Sequence, residues 1–135
     1  EKLLFTGDHI MDGSTVVIAP PDGSMQDYID SLAKLKEYDL NKIAPGHGEL
    51  IDEPYAVVDW IIKHRFERES KVIDVLKQHN SGDLNTLVKD IYADVDSMLH
   101  PVAKWSLESH LVKLMDEGVV TRKNDKFFYI GDPSV

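Results

Sequence analysis

The stretch "FTGDHIMDG" (Phe5–Gly13) and the later "IAPGHGEL" (Ile43–Leu50) each put an acid or an imidazole into a glycine-bracketed turn directly after a short apolar run. Leu3–Thr6 has the apolar content of a buried strand and stops at Gly7, so Asp8 is expected to leave the carboxyl end of that strand. Lys42–Ala44 reads as another brief strand, followed by Pro45-Gly46-His47-Gly48. Glycines on both sides of His47 tolerate backbone shapes that other residues resist, so the turn can aim the imidazole with a neutral nitrogen open to a metal. Alone, each signal is ordinary. A lone Gly-Asp is commonly a capped turn, and most loop histidines are solvated or hydrogen-bonded.

Working outward, Thr15–Ile18 is rich in β-branched residues and predicts a second strand, broken by Pro20, Pro21 and Gly23. Ser24 can cap a helix with Asp27 in its first turn, and Met25, Tyr28, Leu32 and Leu35 make its apolar face. The order β-β-α-β predicts an incomplete piece of a larger α/β layer. Pro54 opens a long helix to about His79, with a core stripe of Val58, Ile61, Ile62, Phe66, Val72, Ile73 and Leu76, ended by Asn80-Ser81-Gly82. Leu84–Tyr92 predicts a short helix with Leu84, Leu87, Val88 and Ile91 inward. A third helix from near Pro101 carries Val102, Trp105, Leu111, Leu114 and Met115 and stops at Gly118. Val119–Arg122 and Phe127–Ile130 around the polar Lys123–Lys126 turn predict a β-hairpin. Three helices and a terminal hairpin make a winged helix, so the fold expected is an α/β fragment (residues 1–60) followed by an α+β winged-helix domain (residues 61–135).

Composition narrows the class. The 135 residues are 42% hydrophobic and 29% charged, which suits a globular chain of one or two small domains. No apolar run approaches the roughly 20 residues of a membrane span, and no basic-then-apolar leader appears, so export is not expected. With no cysteine, disulfides and thiolate metal sites are excluded, and the cytoplasm is the simplest compartment. A start at Glu1 rather than Met is expected of a fragment or a processed product. Residues 1–54 hold 11 acids against 4 bases, and residues 55–135 hold 13 against 11. Neither half is the basic body that binds nucleic acid through phosphate neutralisation, so no strong DNA binding is expected.

The span "LLFTGDHIMDGSTVVIAPPDGSMQDYIDSLAKLKEYDLNKIAPGHGELI", with "IIKHRFERESKVIDVL" and the terminal winged helix, resembles the second half of a metallo-β-lactamase-fold hydrolase of the β-lactamase-like-protein-2 branch. The resemblance implies that Asp8 matches the aspartate bridging two metal ions, usually zinc, and that His47 matches the last histidine ligand of the second metal. His9 has no metal role in the family pattern. Two Lewis-acidic ions lower the pKa of a shared water, which implies hydrolysis of an ester, thioester, lactam or phosphodiester, on a small-molecule or RNA substrate. The family's His-x-His-x-Asp-His motif is absent, since the six histidines stand at 9, 47, 64, 79, 100 and 110. One carboxylate and one imidazole do not supply the three or four protein ligands of a zinc site, so the isolated chain is expected to be inactive and to bind zinc weakly.

Two further features are open. "KHRFERESK" (Lys63–Lys71) places His64 and Arg65 near the domain junction. They face either an anionic substrate at the site mouth or, as charge runs more often do, solvent, with i,i+4 pairs such as Glu67–Lys71. Arg122, Lys123 and Lys126 stand beside Phe127, Phe128 and Tyr129, which suggests RNA contact or, more simply, a hairpin core. The third helix mixes Lys104 and Lys113 with Glu108, Asp116 and Glu117, a poor major-groove reader. His100 and His110 carry no ligand pattern and are expected to be structural or exposed. The alternative function is a winged-helix nucleic-acid-binding module without catalysis. An apolar sheet face left without partner layers predicts a homo-oligomer through residues 1–54.

Overall fold

The computed structural model describes residues 3–7, 9, 10, 18, 23–46 and 48–131. The predicted strand Thr15–Ile18, apart from Ile18, and the two residues Asp8 and His47 lie outside the described residues. The architecture is α/β followed by a winged helix, as the sequence predicts. Two compact units divide the chain, one drawn from Glu1–Val16 and Asp27–Arg65, the other from Val17–Gln26 and Phe66–Val135.

In the first unit, β1 (Leu3–Gly7) pairs in parallel with β2 (Lys42–Pro45), joined through helix α1 (Met25–Leu35). The register runs Leu3 to Lys42, Leu4 to Ile43 and Phe5 to Ala44, then skips Thr6 so that Gly7 stands opposite Pro45. Proline lacks the N–H a regular ladder would use there, which accounts for the slip. Tyr28, Ile29 and Leu32 of α1 are buried with Ile43, Ile51, Val58 and Ile61. The helical stripe expected for α1 therefore holds, with Leu35 half-buried at its end.

Helix α2 (Pro54–His79) starts at the predicted proline. Its buried stripe differs from the expected one: Phe66 is 43% exposed, while Arg65 and Glu69 are buried. Val58, Ile61, Arg65, Glu69, Val72 and Leu76 follow at spacings of three and four, so one regular helical face runs through two charged residues. The solvated face expected of Lys63–Lys71 thus does not hold at Arg65 and Glu69.

The second unit is the winged helix. Asn80, at φ 65°, ends α2, and Ser81–Gly82 forms a short strand, β3. Asp83 caps α3 (Leu84–Ile91), its carboxylate accepting the Thr86 N–H at 2.8 Å. A 3-10 turn at Ser97–Leu99 leads into α4 (His100–Asp116), and Gly118, at φ 79°, closes it as predicted. Strands β4 (Val120–Lys123) and β5 (Lys126–Tyr129) form the hairpin, and β3 adds to it in the order β3-β5-β4. Reading Asn80-Ser81-Gly82 only as a helix stop missed this third strand. The core gathers Val72, Leu76, Leu87, Ile91, Leu107, Leu111, Leu114 and Phe127.

One expected face is corrected. Val102 and Trp105 are 40% and 55% exposed, whereas Ser106, Leu107, Ser109 and His110 are buried. At 100° per residue Trp105 stands about 200° from Leu107, so both cannot face one core. Burial of Leu107, Leu111 and Leu114 decides the side. Ser109 donates its hydroxyl to the Ile18 carbonyl. His100 is structural, its Nε2 lying 2.8 Å from the Tyr92 carbonyl and 3.1 Å from that of Val95.

Two stability effects follow from this packing. A Cβ on Gly82 would lie 2.8 and 2.9 Å from Cδ2 and Cγ of Leu87, which is 1% exposed and has no room to withdraw. Gly82→Ala is expected to cost about 1–3 kcal/mol by overpacking, read as a lower urea midpoint with an unchanged slope. Arg68 bridges α2 to the α3 end, donating to Asp94 at 2.8 and 3.1 Å and to the Ile91 carbonyl at 2.6 Å. The Arg68 hydrogen bonds hold the Asp94 carboxyl down at about 2, from an ordinary 3.8. A depressed acid stabilises the fold above its ordinary pKa and loses that contribution as pH falls through its folded value. Asp94 is 60% exposed at its side chain, so screening leaves on the order of 1 kcal/mol. The stability gap between the native chain and Asp94→Asn should therefore close between pH 4 and 2; a gap constant over that range would show that the ion pair contributes nothing.

Candidate functional site at the carboxyl ends of the parallel strands

The parallel pairing puts the carboxyl ends of β1 and β2 side by side, with Gly7 opposite Pro45. Asp8 is the next residue after Gly7, and His47 comes two after Pro45. The His47 loop is closed at its base by reciprocal backbone bonds between Ile43 and Ile51, at 2.9 and 2.8 Å. Both isoleucines are buried, so the loop springs from a fixed stem. Gly48 takes φ 92°, a left-handed conformation that a side chain resists. The bracketing glycine singled out in the sequence thus has a backbone reason.

The loop after β1 is pinned from α1. The His9 N–H donates to the Thr6 carbonyl at 3.1 Å, and the Thr6 hydroxyl donates to the Ile10 carbonyl at 3.4 Å. The Tyr28 hydroxyl donates to the His9 carbonyl at 2.8 Å, with the two rings 4.8 Å apart. Ser31 gives its single proton to the Tyr28 carbonyl at 2.7 Å, so its oxygen accepts from His9 Nε2–H at 2.8 Å. Burial pushes the His9 imidazole below its ordinary pKa, which keeps it neutral and suited to this single-donor arrangement. Sequence reading assigned His9 no metal role and foresaw none of this pinning. The signal was Tyr28 and Ser31, one turn apart on one face of α1.

Arg65 is 4% exposed, its guanidinium 5.3 Å above the Tyr28 ring. Burial raises the Tyr28 phenol, while the charge of Arg65 and its hydrogen bond pull in the opposite direction. His64 is half-buried and stacks on Trp60, centroids 5.3 Å apart and planes within 10°. Arg65 therefore belongs to the Tyr28–His9 assembly, and His64 sits one residue away on a neighbouring helix face. Among the described residues no group of three or more His, Cys, Asp or Glu could hold a metal ion, and no helix is long and apolar enough to cross a membrane.

Residues 84–128 match the family described as Beta-lactamase associated winged helix domain. Over 99% of its length the chain is 35% identical to the Beta-lactamase-like protein 2 homolog of Caenorhabditis elegans. It is 32% identical to that of Drosophila melanogaster. The chain resembles the β-lactamase-like-protein-2 branch of the metallo-β-lactamase fold throughout. It spans 44% and 46% of these relatives, about half their length. A crystal structure of a metallo-beta-lactamase family protein from Thermus thermophilus aligns with a TM-score of 0.82 at 18% identity, over 96% of this chain and 42% of that one. A beta-lactamase domain protein from Burkholderia ambifaria aligns with the same score at 15% identity, over 95% and 41%. At these identities the two structures establish the fold. The β-lactamase-like fragment and the winged helix are therefore those expected from the sequence.

Proposed function

We propose that this chain is the carboxy-terminal part of a metal-dependent hydrolase, with Asp8 and His47 contributing to a dinuclear zinc centre. The observation that carries this reading is the register of Gly7 with Pro45, which brings the strand ends leading to Asp8 and His47 together. A carboxylate oxygen and an imidazole nitrogen are donors that zinc accepts. Two ligands do not complete such a centre, so the others come from the rest of a full-length protein, and the isolated chain is inactive. When bound, the ions supply Lewis acidity toward water and the scissile group.

The chain's own residues position this centre. His9, Tyr28 and Ser31 hold the backbone next to Asp8, and Arg65 holds Tyr28. His64 meets an anionic group of the substrate, and Arg65 adds its charge from behind. Substrates are esters, thioesters or phosphodiesters, as small molecules or RNA. A role as a nucleic-acid reader without catalysis is less well supported. Lys113 of α4 is buried in an ion pair, Lys104 is held by Asn85 at 2.8 Å, and Phe127 is spent in the hairpin core. Phe5, 78% exposed on β1, supports self-association of the isolated chain through residues 1–54. A chain without cysteine suits the cytoplasm.

The test is metal analysis of the full-length protein, with hydrolysis assays on an ester, a thioester and an RNA. About two zinc ions per full-length chain, and well under one in this segment, are expected. A full-length protein that hydrolyses none of these after zinc reconstitution would overturn the reading.

A further inference from the structure

A cavity of about 370 Å³ opens in the winged-helix unit, between the second half of α2, the last turn of α4 and the wing. Its size lies within the range of small-ligand sites. Phe66, Tyr129, Ile73 and Leu114 line it with apolar groups, and Glu69 and Glu117 meet at a polar end. At that end Lys113 Nζ sits 2.9 and 3.1 Å from the Glu69 oxygens and 3.2 and 2.8 Å from those of Glu117.

The hydrogen-bond inventory decides what this end can recognise. An ammonium has three protons, and four carboxylate oxygens within 3.2 Å compete for them. Lys113, 6% exposed and surrounded by these oxygens, is turned away from a ligand. The carboxylates, with about four acceptor positions each, have capacity left. The other cation in the lining, Lys77, lies 5.1 Å from the Tyr129 ring centre on an exposed stem and can swing into water. An anion entering here would meet two carboxylates, with the exposed Ser70 hydroxyl as a neutral side-chain donor in the lining. A cation would meet surplus acceptors and an aromatic face that already holds an ammonium.

We propose that this cavity is a binding site for an organic cation, a guanidinium or ammonium group on an apolar stem, with Glu117 as its acceptor and Tyr129 as its aromatic face, the Phe66 ring being already taken by Lys113 at 5.3 Å. The stem covers Ile73 and Leu114, and the charge replaces that of Lys77 over Tyr129. A free amine and the arginine side chain of a peptide share this chemistry.

The experiment is a titration of the 135-residue chain, followed by backbone amide shifts, with agmatine, with a blocked Ala-Arg-Ala peptide, and with butyl phosphate as the anionic counterpart. Saturable shifts confined to the cavity lining are expected with agmatine, at a dissociation constant of about 1 mM or below. Glu117→Gln, at a half-exposed rim position, keeps one acceptor for Lys113 and should weaken binding about fivefold or more in a chain that still melts in one cooperative transition. Lys77→Ala should tighten it by removing the competing charge. Tighter binding of the peptide than of agmatine assigns the site to an arginine side chain, and equal or weaker binding assigns it to a free amine. The proposal is overturned if agmatine gives no saturable shift by about 20 mM, if Glu117→Gln binds it as well as the native chain, or if butyl phosphate binds equally.

Discussion

Replacing Lys113 by methionine is expected to destabilise the winged-helix unit by about 3–5 kcal/mol, the cost of leaving a buried charge without its partner. Glu69 and Lys113 both have side chains only 6% exposed, on α2 and α4, and the ion pair between them is 2.9 Å long. Burial raises the Glu69 pKa, against the pull of Lys113, and repulsion from Glu117 adds to the rise. Burial alone would lower Lys113, but its hydrogen bonds to Glu117 and Glu69 outweigh it and raise the ammonium. The asymmetry is physical, because one cation serves two anions. It follows that Glu69 charged without Lys113 is the costly species. A buried acid with a raised pKa stabilises the fold below its ordinary value and loses that contribution as pH rises through its folded value. The Lys113→Met deficit should therefore be larger at pH 8 than at pH 5, where Glu69 takes up a proton more readily. Adding Glu69→Gln to Lys113→Met should recover most of the loss, since it removes the unpaired charge while keeping the shape. Urea denaturation of the three variants at both pH values measures this. A Lys113→Met deficit below about 1 kcal/mol, a value ordinary for exposed ion pairs, would show that the pair is solvated in solution.

The second large effect concerns activity. In the full-length protein Asp8→Asn should remove one zinc and lower hydrolysis by about 100-fold or more, beyond what loss of a residue merely supporting a metal ligand costs. On the proposed reading, the amide keeps the size of the side chain but loses the charge that would be shared between two cations. Urea stability of the apo protein should be unchanged, because the defect lies in metal binding. His47→Ala should give the same pattern through loss of one nitrogen donor. Full metal content and full activity in Asp8→Asn would end the metallohydrolase reading. They would leave the winged-helix cavity unaffected, since its residues belong to the other unit.

Much of the fold was legible in the order of residues. Pro54 at the start of α2, Asn80 at its end and Gly118 after α4 are local signals, set by backbone geometry within a few residues, and each stands where the chain's own chemistry puts it. Leu84, Leu87, Val88 and Ile91 needed only helical periodicity. The strand ends of Leu3–Gly7 and Lys42–Pro45 were legible for the same reason, as apolar runs closed by glycine or proline.

What only the tertiary structure decided is which of several competing faces is buried and which charges it takes inside. Periodicity allowed α4 to turn Trp105 or Leu107 inward, and packing against α3 and the wing chose Leu107. On α2 a helical stripe through Arg65 and Glu69 looked like solvent-facing charge until Tyr28 and Lys113, 37 and 44 positions away in the chain, supplied partners. Ser81–Gly82 became a strand only because Phe127 and Phe128 lay beside it. Local sequence sets backbone conformation through short-range sterics. The burial of a charge or the pairing of an edge depends on groups that the chain brings together only by folding.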